Sequence, residues 1–420
     1  MLRPSMLRPL RKLARRNEFL RSKLRRLYRF SAYHLAKGLM KVRKGDKGLR
    51  YVNPNEITHT VSRFDDTWKG NAVWHFGTVS GGDWDRDGYP VRERSQIYPI
   101  LRQRVLDGLE YEIIPEFQEH LQKIKMGGFI DGCTTREQYV QRWRHIEAVY
   151  QAIKNQGYKT QAELGSDNVL DEVRVQIGRK GELLLEEGRH RLAIAQLLEL
   201  EEIPAIVTRR HEEWEALRQD IIKIVLQRGF IHQPFNHPDL DILPQIYGGE
   251  LKERARYGNE RWEYIVNSLP VREGTVLDIG SYFGYFAHRF EDLGFDCYAV
   301  EPDPENLAVL KRYRRMYGKR FTVWESSLFD IERFDFDVVL ALNIFHHLVK
   351  GKQDYERLVE FLGKLRCQAM YFEPQETSGD AYRRFTDEEF LAFVLEHTTL
   401  NHVRLLGRAR ERRDVYLLTV

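Results

Sequence analysis

Cysteine is scarce in this chain of 420 residues: Cys133, Cys297 and Cys367 stand far apart and form no C-x-x-C pair. That spacing excludes a zinc ribbon and a disulfide scaffold, and it fits a reducing compartment. No run approaches the roughly 18 apolar residues that a membrane span requires. Internal repeats and low-complexity tracts are also missing. Acidic residues are nearly absent from the first 50 positions, where Glu18 and Asp46 face 17 Lys and Arg, a net charge of +15. The other 370 residues carry −11, so the overall +4 conceals two opposed charge distributions.

What is present suffices for packed cores, with 42% hydrophobic and 12% aromatic residues. The length exceeds what one core organises, so two domains and an extra segment are expected. The extra segment is the basic arm, residues 1–50. Leu10, Leu13, Leu20, Leu24 and Leu27 recur there at helical spacing, with Arg and Lys on the remaining faces. It lacks the long apolar core of an ordinary export peptide. An anionic membrane surface uses both the leucine stripe and the arginines. A nucleic-acid arm uses the charge alone, and a solvated helix packed on the acidic body uses neither for a partner. The membrane reading is preferred. It places the chain in the cytoplasm, peripheral on the cytoplasmic membrane face.

The strongest pattern begins at Thr275: TVLDIGSYFGYFAHRFEDLGFDCYAVEPDPENLAVLKRY. Val276, Leu277 and Ile279 predict a strand that includes Asp278. A turn from Gly280 to Gly284 then opens a helix, and a second strand ends at Glu301, 23 residues after Asp278. Glycines let backbone approach a bound cofactor, and an acid after strand two accepts hydrogen bonds from ribose hydroxyls. RFTVWES, FDVVLALNIFHHL and QAMYFEP predict strands three to five, and DEEFLAFVLEHTTL a late helix. HVRLLGRA and DVYLLTV predict a closing antiparallel pair. Strands alternating with helices imply a doubly wound α/β sheet with ligands at its carboxyl edge.

Residues 271–420 resemble the class I S-adenosylmethionine-dependent methyltransferases, a Rossmann-like fold. The resemblance implies that Asp278, Gly280 and Gly284 surround the methionine part of S-adenosyl-L-methionine. It implies Glu301 on the ribose, with Pro302 and Asp303 beside the adenine. Ser327 and Leu328 fall at the adenine edge, and Asn343 near the sulfonium. The middle glycine of the family's D-x-G-x-G-x-G turn is Tyr282 here.

Methyl transfer needs alignment above all, and a base only where the acceptor must lose a proton. Methyltransferases acting on base or amide nitrogens usually show an N-P-P-Y-like turn after strand four. The segment NIFHH lacks it, so an oxygen acceptor is favoured, and His346 and His347 are the candidate catalytic residues. Packing under the site is the alternative for both. Adjacent histidines on a helix point about 100° apart, so no shared metal ion is assigned. Glu373 and Glu376 follow strand five and are expected to line the acceptor side.

Between Tyr51 and Phe235 the character changes. TREQYVQRWRHIEAVYQAIKNQGY predicts a helix ending at Gly157. EVRVQIG, ELLLEE and EIPAIV predict strands, with HRLAIAQLLEL as the helix between the last two. Gly188, Arg189, His190 and Arg191 then sit at a helix start, where free amides and the dipole favour an anion. Two guanidiniums add bidentate phosphate recognition. Glu186 and Glu187 suit a phosphate bound through Mg²⁺. Residues 171–210 resemble the ParB/sulfiredoxin-like fold, whose members bind nucleotide phosphates at a G-x-H-R turn. Arg189 stands where sulfiredoxins carry cysteine, which excludes their sulfur chemistry. An ion-paired turn without a ligand is the competing reading. Upstream, Asp83, Asp85, Asp87 and Gly88 resemble the start of a calcium loop, but Arg94 replaces its closing acid. Asp83 and Asp85 are instead expected in the same middle-domain pocket, walled by Trp74, His75 and Trp84, with ordinary core packing of those three rings as the alternative.

Four segments result: a basic arm (1–50), an α+β ParB/sulfiredoxin-like phosphate- or nucleotide-binding domain (51–235), a helical connector (236–270) and the methyltransferase domain (271–420). Expected partners are a small-molecule or glycan acceptor, S-adenosyl-L-methionine, a nucleotide with Mg²⁺ in the middle domain, and an anionic membrane. Lipid-linked sugar is one acceptor that unites these parts. The alternative is a nucleic-acid-associated protein whose arm and cationic turn bind phosphate backbones.

Overall fold

The computed structural model describes residues 49–61, 77–166, 171–228, 237–240, 250–377, 381–409 and 413–420. The basic arm to residue 48, together with Trp74 and His75, lies outside the described residues. The chain divides into two compact units, Met1–Glu215 and Ala216–Val420.

The first unit is built on a mixed sheet. Its strands are β1 (Leu49–Val52), β2 (His59–Thr60), β3 (Thr78–Ser80), β4 (Val173–Ile177), β5 (Leu183–Glu187) and β6 (Ile203–His211). Their order is β1-β6-β4-β5-β2, with β3 also beside β6. β4 pairs parallel with β6 and antiparallel with β5. Helices α1 (Ile97–Val105), α2 (Pro115–Lys125), α3 (Arg136–Gln156) and α4 (Arg189–Leu197) enclose an apolar core. Phe117, Tyr139, Trp143 and Ile146 pack there with Ala193 and Ile194 of α4. Thr135 caps α3 by accepting from the Gln138 amide, and Gly157, at φ 78°, ends it. Helix α5 (Glu212–Arg228) contains the division between the units.

The second unit takes in the rest of α5 and helix α6 (Glu250–Val266) and carries a seven-stranded sheet. Its members are β7 (Thr275–Ile279), β8 (Asp296–Val300), β9 (Thr322–Trp324), β10 (Asp335–Leu342), β11 (Arg366–Glu373), β12 (His402–Ala409) and β13 (Arg413–Thr419). The order is β12-β13-β11-β10-β7-β8-β9. β7 to β11 run parallel, and β13 joins β11 antiparallel. Helices α7 (Tyr285–Asp292), α8 (Pro304–Met316), α9 (Lys352–Lys364) and α10 (Asp387–Glu396) complete the unit. Alternate residues of each strand feed two separate cores. Leu277, Val339 and Met370 pack with α9 and α10, while Val276, Val338 and Tyr371 pack with α6 and α7. A parallel sheet covered on both faces explains why its strands read as continuous apolar runs. The strand order reverses between β7 and β10, which is where such a sheet opens a crevice at its carboxyl edge.

Candidate active site of the second unit

The turn after β7 owes its shape to three alternate residues. Gly280, Tyr282 and Gly284 all have positive φ, at 69°, 55° and 80°. A Cβ on Gly280 would lie 2.6 Å from Ile344 Cδ1, so a side chain there would have to displace the tip of Ile344 as well as hold a left-handed backbone. Gly284 is the N-cap of α7. Tyr282 keeps the backbone geometry of a glycine, and its amide donates to Glu301 Oε2 at 2.8 Å.

Asp278 is 4% exposed, and its Oδ2 has no hydrogen-bond partner. Burial, and then repulsion from Glu301, push its carboxyl up to about 7. Glu301 is also buried and raised above its ordinary value, chiefly by desolvation. Its Oε1 accepts from the Asp303 amide at 2.9 Å and from Asn306 Nδ2 at 3.2 Å. A carboxylate offers about four acceptor positions, so room for one more donor remains. Asn343 follows β10 at φ 58°; its amide donates to Glu373 O at 3.0 Å, and its Oδ1 is buried without a partner. Ser327 caps the short turn after β9 by accepting from the Phe329 amide.

Asp303 is committed locally. It caps α8 through the amides of Glu305 and Asn306, and meets Arg228 at 2.9 Å. Arg228 also donates to Asn306 Oδ1 at 3.0 Å and to Glu305 at 2.8 Å. A continuous chain of hydrogen bonds therefore runs from Arg228 through Asn306 to Glu301. Sequence reasoning missed both Arg228 and Asn306. The D-P-E-N cap signalled Asn306, but nothing local points to Arg228.

Two expectations on the acceptor side need correction. His346 and His347 do not diverge: they lie in a single 3-10 turn with ring centroids 3.9 Å apart. A turn that is not continued as a helix leaves both rings free to lean together. His346 is buried and His347 exposed, and desolvation with the charge of Lys350 holds His347 below its ordinary value. Glu373 does not face an acceptor. It is 1% exposed and accepts from Arg261 at 2.6 Å through both oxygens, with Arg413 at 3.5 Å.

In the first unit, Gly188 adopts φ 97° at the start of α4, and a Cβ there would meet Val173 Cα at 2.9 Å. Arg189 pairs with Asp131 through one carboxylate oxygen, and His190 Nε2 lies 3.2 Å from the other. Burial alone would raise Asp131, but His190 and Arg189 outweigh it and hold it at about 2. Arg191 stands 3.6 Å from Glu172. Glu187 is exposed and meets Arg174 at 3.3 Å, whereas Glu186 is buried and accepts from Gln176 and Thr208. Asp83 and Asp85 are not in this neighbourhood. Both grip Arg179, in the turn that precedes β5, while Gly188 follows the other end of that strand. The calcium-loop resemblance therefore ends in a guanidinium clamp, and Trp84 lies under Arg209 at 4.2 Å.

Sheet order, glycine turn and the acid after the second parallel strand are those expected of a class I S-adenosylmethionine-dependent methyltransferase domain. Residues 277–365 match the family described as methyltransferase domain. A relative from Mycobacteroides abscessus, described as an uncharacterized methyltransferase, is 29% identical over 107 residues. That match spans 25% of this chain and 41% of the relative. Among solved structures, the bifunctional kinase-methyltransferase WbdD is 19% identical, over 47% of this chain and 46% of its own, with a TM-score of 0.34. The ribosomal protein L11 methylase of Lactobacillus delbrueckii subsp. bulgaricus is 14% identical, over 39% and 79%, with a TM-score of 0.30. At those scores the likenesses say nothing of a substrate. Among the described residues, no helix is long and apolar enough to cross a membrane.

Proposed function

We propose that the chain methylates an oxygen acceptor, with the first unit binding a phosphate-bearing ligand, and that its acceptors are glycans or lipid-linked sugars at a membrane surface. The observation that carries the cofactor site is the pair of buried acceptors without donors, Asp278 Oδ2 and Asn343 Oδ1. Buried acceptors left unpaired are costly, and the cationic amino group of S-adenosylmethionine supplies what both lack. Gly280 and Gly284 give the close approach, and Glu301 holds its last acceptor position for a ribose hydroxyl. When bound, the cofactor supplies a methyl group on a sulfonium for in-line displacement.

The acceptor reading rests on the Asn343–His347 segment, which lacks the turn used for amide and base nitrogens. His347 is exposed and disposed to be neutral, so its ring can take the proton of a hydroxyl. In the first unit, support for a phosphate ligand comes from the buried Arg142 Nε, Tyr158 Oη and Arg191 Nη1. Of these, Arg142 Nε has no hydrogen-bond partner, while Arg191 is shared between Glu172 at 3.6 Å and Tyr158, and α4 starts without a side-chain cap. The ParB/sulfiredoxin-like resemblance and a nucleotide with Mg²⁺ belong to this reading.

Calorimetry with S-adenosylhomocysteine tests the first part: wild type binds, and Glu301→Ala abolishes binding. Mass spectrometry of products from labelled S-adenosylmethionine and saccharide acceptors then identifies the methylated atom. A methyl group on nitrogen refutes the oxygen assignment. Arg191→Ala weakens ATP–Mg²⁺ binding while leaving S-adenosylhomocysteine binding intact. Loss of both together refutes two separate sites.

A further inference from the structure

Two loops at the carboxyl edge of the second sheet are stitched together. One follows β10 and the other β11. The Tyr382 amide donates to Lys350 O at 2.9 Å, and the Arg383 amide to Val349 O at 3.2 Å. This fixes Arg383 within three residues of His347 in the facing loop. The guanidinium of Arg383 lies 5.5 Å from the Tyr355 ring and 5.9 Å from Tyr382. The two tyrosine rings are 5.6 Å apart, and Tyr382 is 46% exposed.

Among the described residues, the charges of this patch are unbalanced. Elsewhere in the unit Arg261, Arg312, Arg357 and Arg408 each meet a carboxylate. Lys350 and Arg383 are exposed, and among the described residues neither makes a salt bridge. The nearby acids, Glu376 in the loop and Asp387 and Glu388 in the first turn of α10, crowd one another instead. A guanidinium held over aromatic faces has already lost much of its rotamer freedom, so engaging an anion costs it less. The exposed tyrosine face beside it offers an apolar platform of the kind that covers a sugar ring.

We infer that the methyl acceptor carries an anionic group, a phosphate monoester or carboxylate on a saccharide, which Lys350 and Arg383 hold beside His347. This rests on the methyltransferase reading and narrows its acceptor. A neutral saccharide offers neither cation an opposite charge, and a cationic acceptor is repelled by them.

The test is calorimetry on the full chain saturated with S-adenosylhomocysteine, titrated with glucose 6-phosphate, with glucuronate and with glucose. At least one anion binds at least tenfold tighter than glucose, and which one separates phosphate from carboxylate. Arg383→Ala and Lys350→Ala each weaken that binding tenfold or more. Arg383→Lys retains part of it, and S-adenosylhomocysteine affinity is unchanged in all three, which shows that they fold. Equal binding of glucose and the anions overturns the inference. So does the absence of anion binding, or anion binding that both alanine variants preserve. Failure of the wild type to bind S-adenosylhomocysteine is a different result and overturns the methyltransferase reading itself.

Discussion

Replacing Asp278 by asparagine separates folding from cofactor binding. The carboxyl is buried beside Glu301 and pushed up to about 7 from an ordinary 3.8. Between those values an unfolded chain carries the charge and the folded one resists it. The stability tied to this group is therefore fully present below about pH 4 and is lost as pH rises towards 7. The whole interval corresponds to roughly 4 kcal/mol. Relaxation and water entry reduce that, and about 2 kcal/mol is a realistic expectation at pH 8. Asparagine keeps the volume and cannot ionise. The assay is the urea midpoint of the second unit in cofactor-free protein, wild type against Asp278→Asn, at pH 5 and pH 8. The variant gains over wild type as pH rises, while S-adenosylhomocysteine affinity falls by roughly tenfold or more with the loss of a charge-assisted partner. A second readout follows from the same sign. At pH 6 the free protein holds the proton on Asp278, and a cationic ligand displaces it. Calorimetry in buffers of different ionisation enthalpy then shows proton release that Asp278→Asn removes. A stability gap that does not widen with pH, together with undiminished binding, refutes the reasoning.

The remaining expectations concern groups the sequence did not single out. Arg228→Ala loosens Asn306 and through it Glu301, so KM for S-adenosylmethionine rises roughly three- to tenfold with kcat little changed, and Arg228→Lys restores part of it. A purely structural role would leave KM unmoved at equal stability. Arg261→Ala removes the main partner of a fully buried carboxylate and costs about 3 kcal/mol by urea unfolding, whereas Arg408→Ala, in an exposed pair, leaves the urea midpoint nearly unchanged. Deleting residues 1–50 abolishes sedimentation with phosphatidylglycerol vesicles. Loss of nucleic-acid binding with vesicle binding retained would favour the competing partner.

Much of the second unit was legible because its signals are local. Apolar runs of three to eight residues, interrupted by helix periods, mark β7 to β11 in order. The 23-residue step from Asp278 to Glu301 spans one strand–helix–strand unit. The unread part is held by pairs distant in sequence. Arg228 meets Asp303 across 75 residues and Arg261 meets Glu373 across 112. Arg189 meets Asp131 across 58. Charge alone cannot disclose such partners, because any of 66 basic and 62 acidic residues would serve. For the same reason Asp83 and Asp85 resembled metal ligands until Arg179 was seen between them.

Tyr282 shows how a motif can be broken in sequence and kept in structure. The family's middle glycine supplies left-handed backbone and an amide without a side chain in the way. At φ 55° the tyrosine adopts that backbone, at a cost of order 1 kcal/mol for a residue with a Cβ. Its amide still reaches Glu301, so the hydrogen bond to the acid after β8 survives the substitution. The side chain is buried with its ring stacked on Phe283 at 3.9 Å, and that packing offsets the strain. The function of the glycine thus lies in its φ and its amide, and both are retained here. Read as letters, position 282 departs from the family; read as backbone geometry, it conforms.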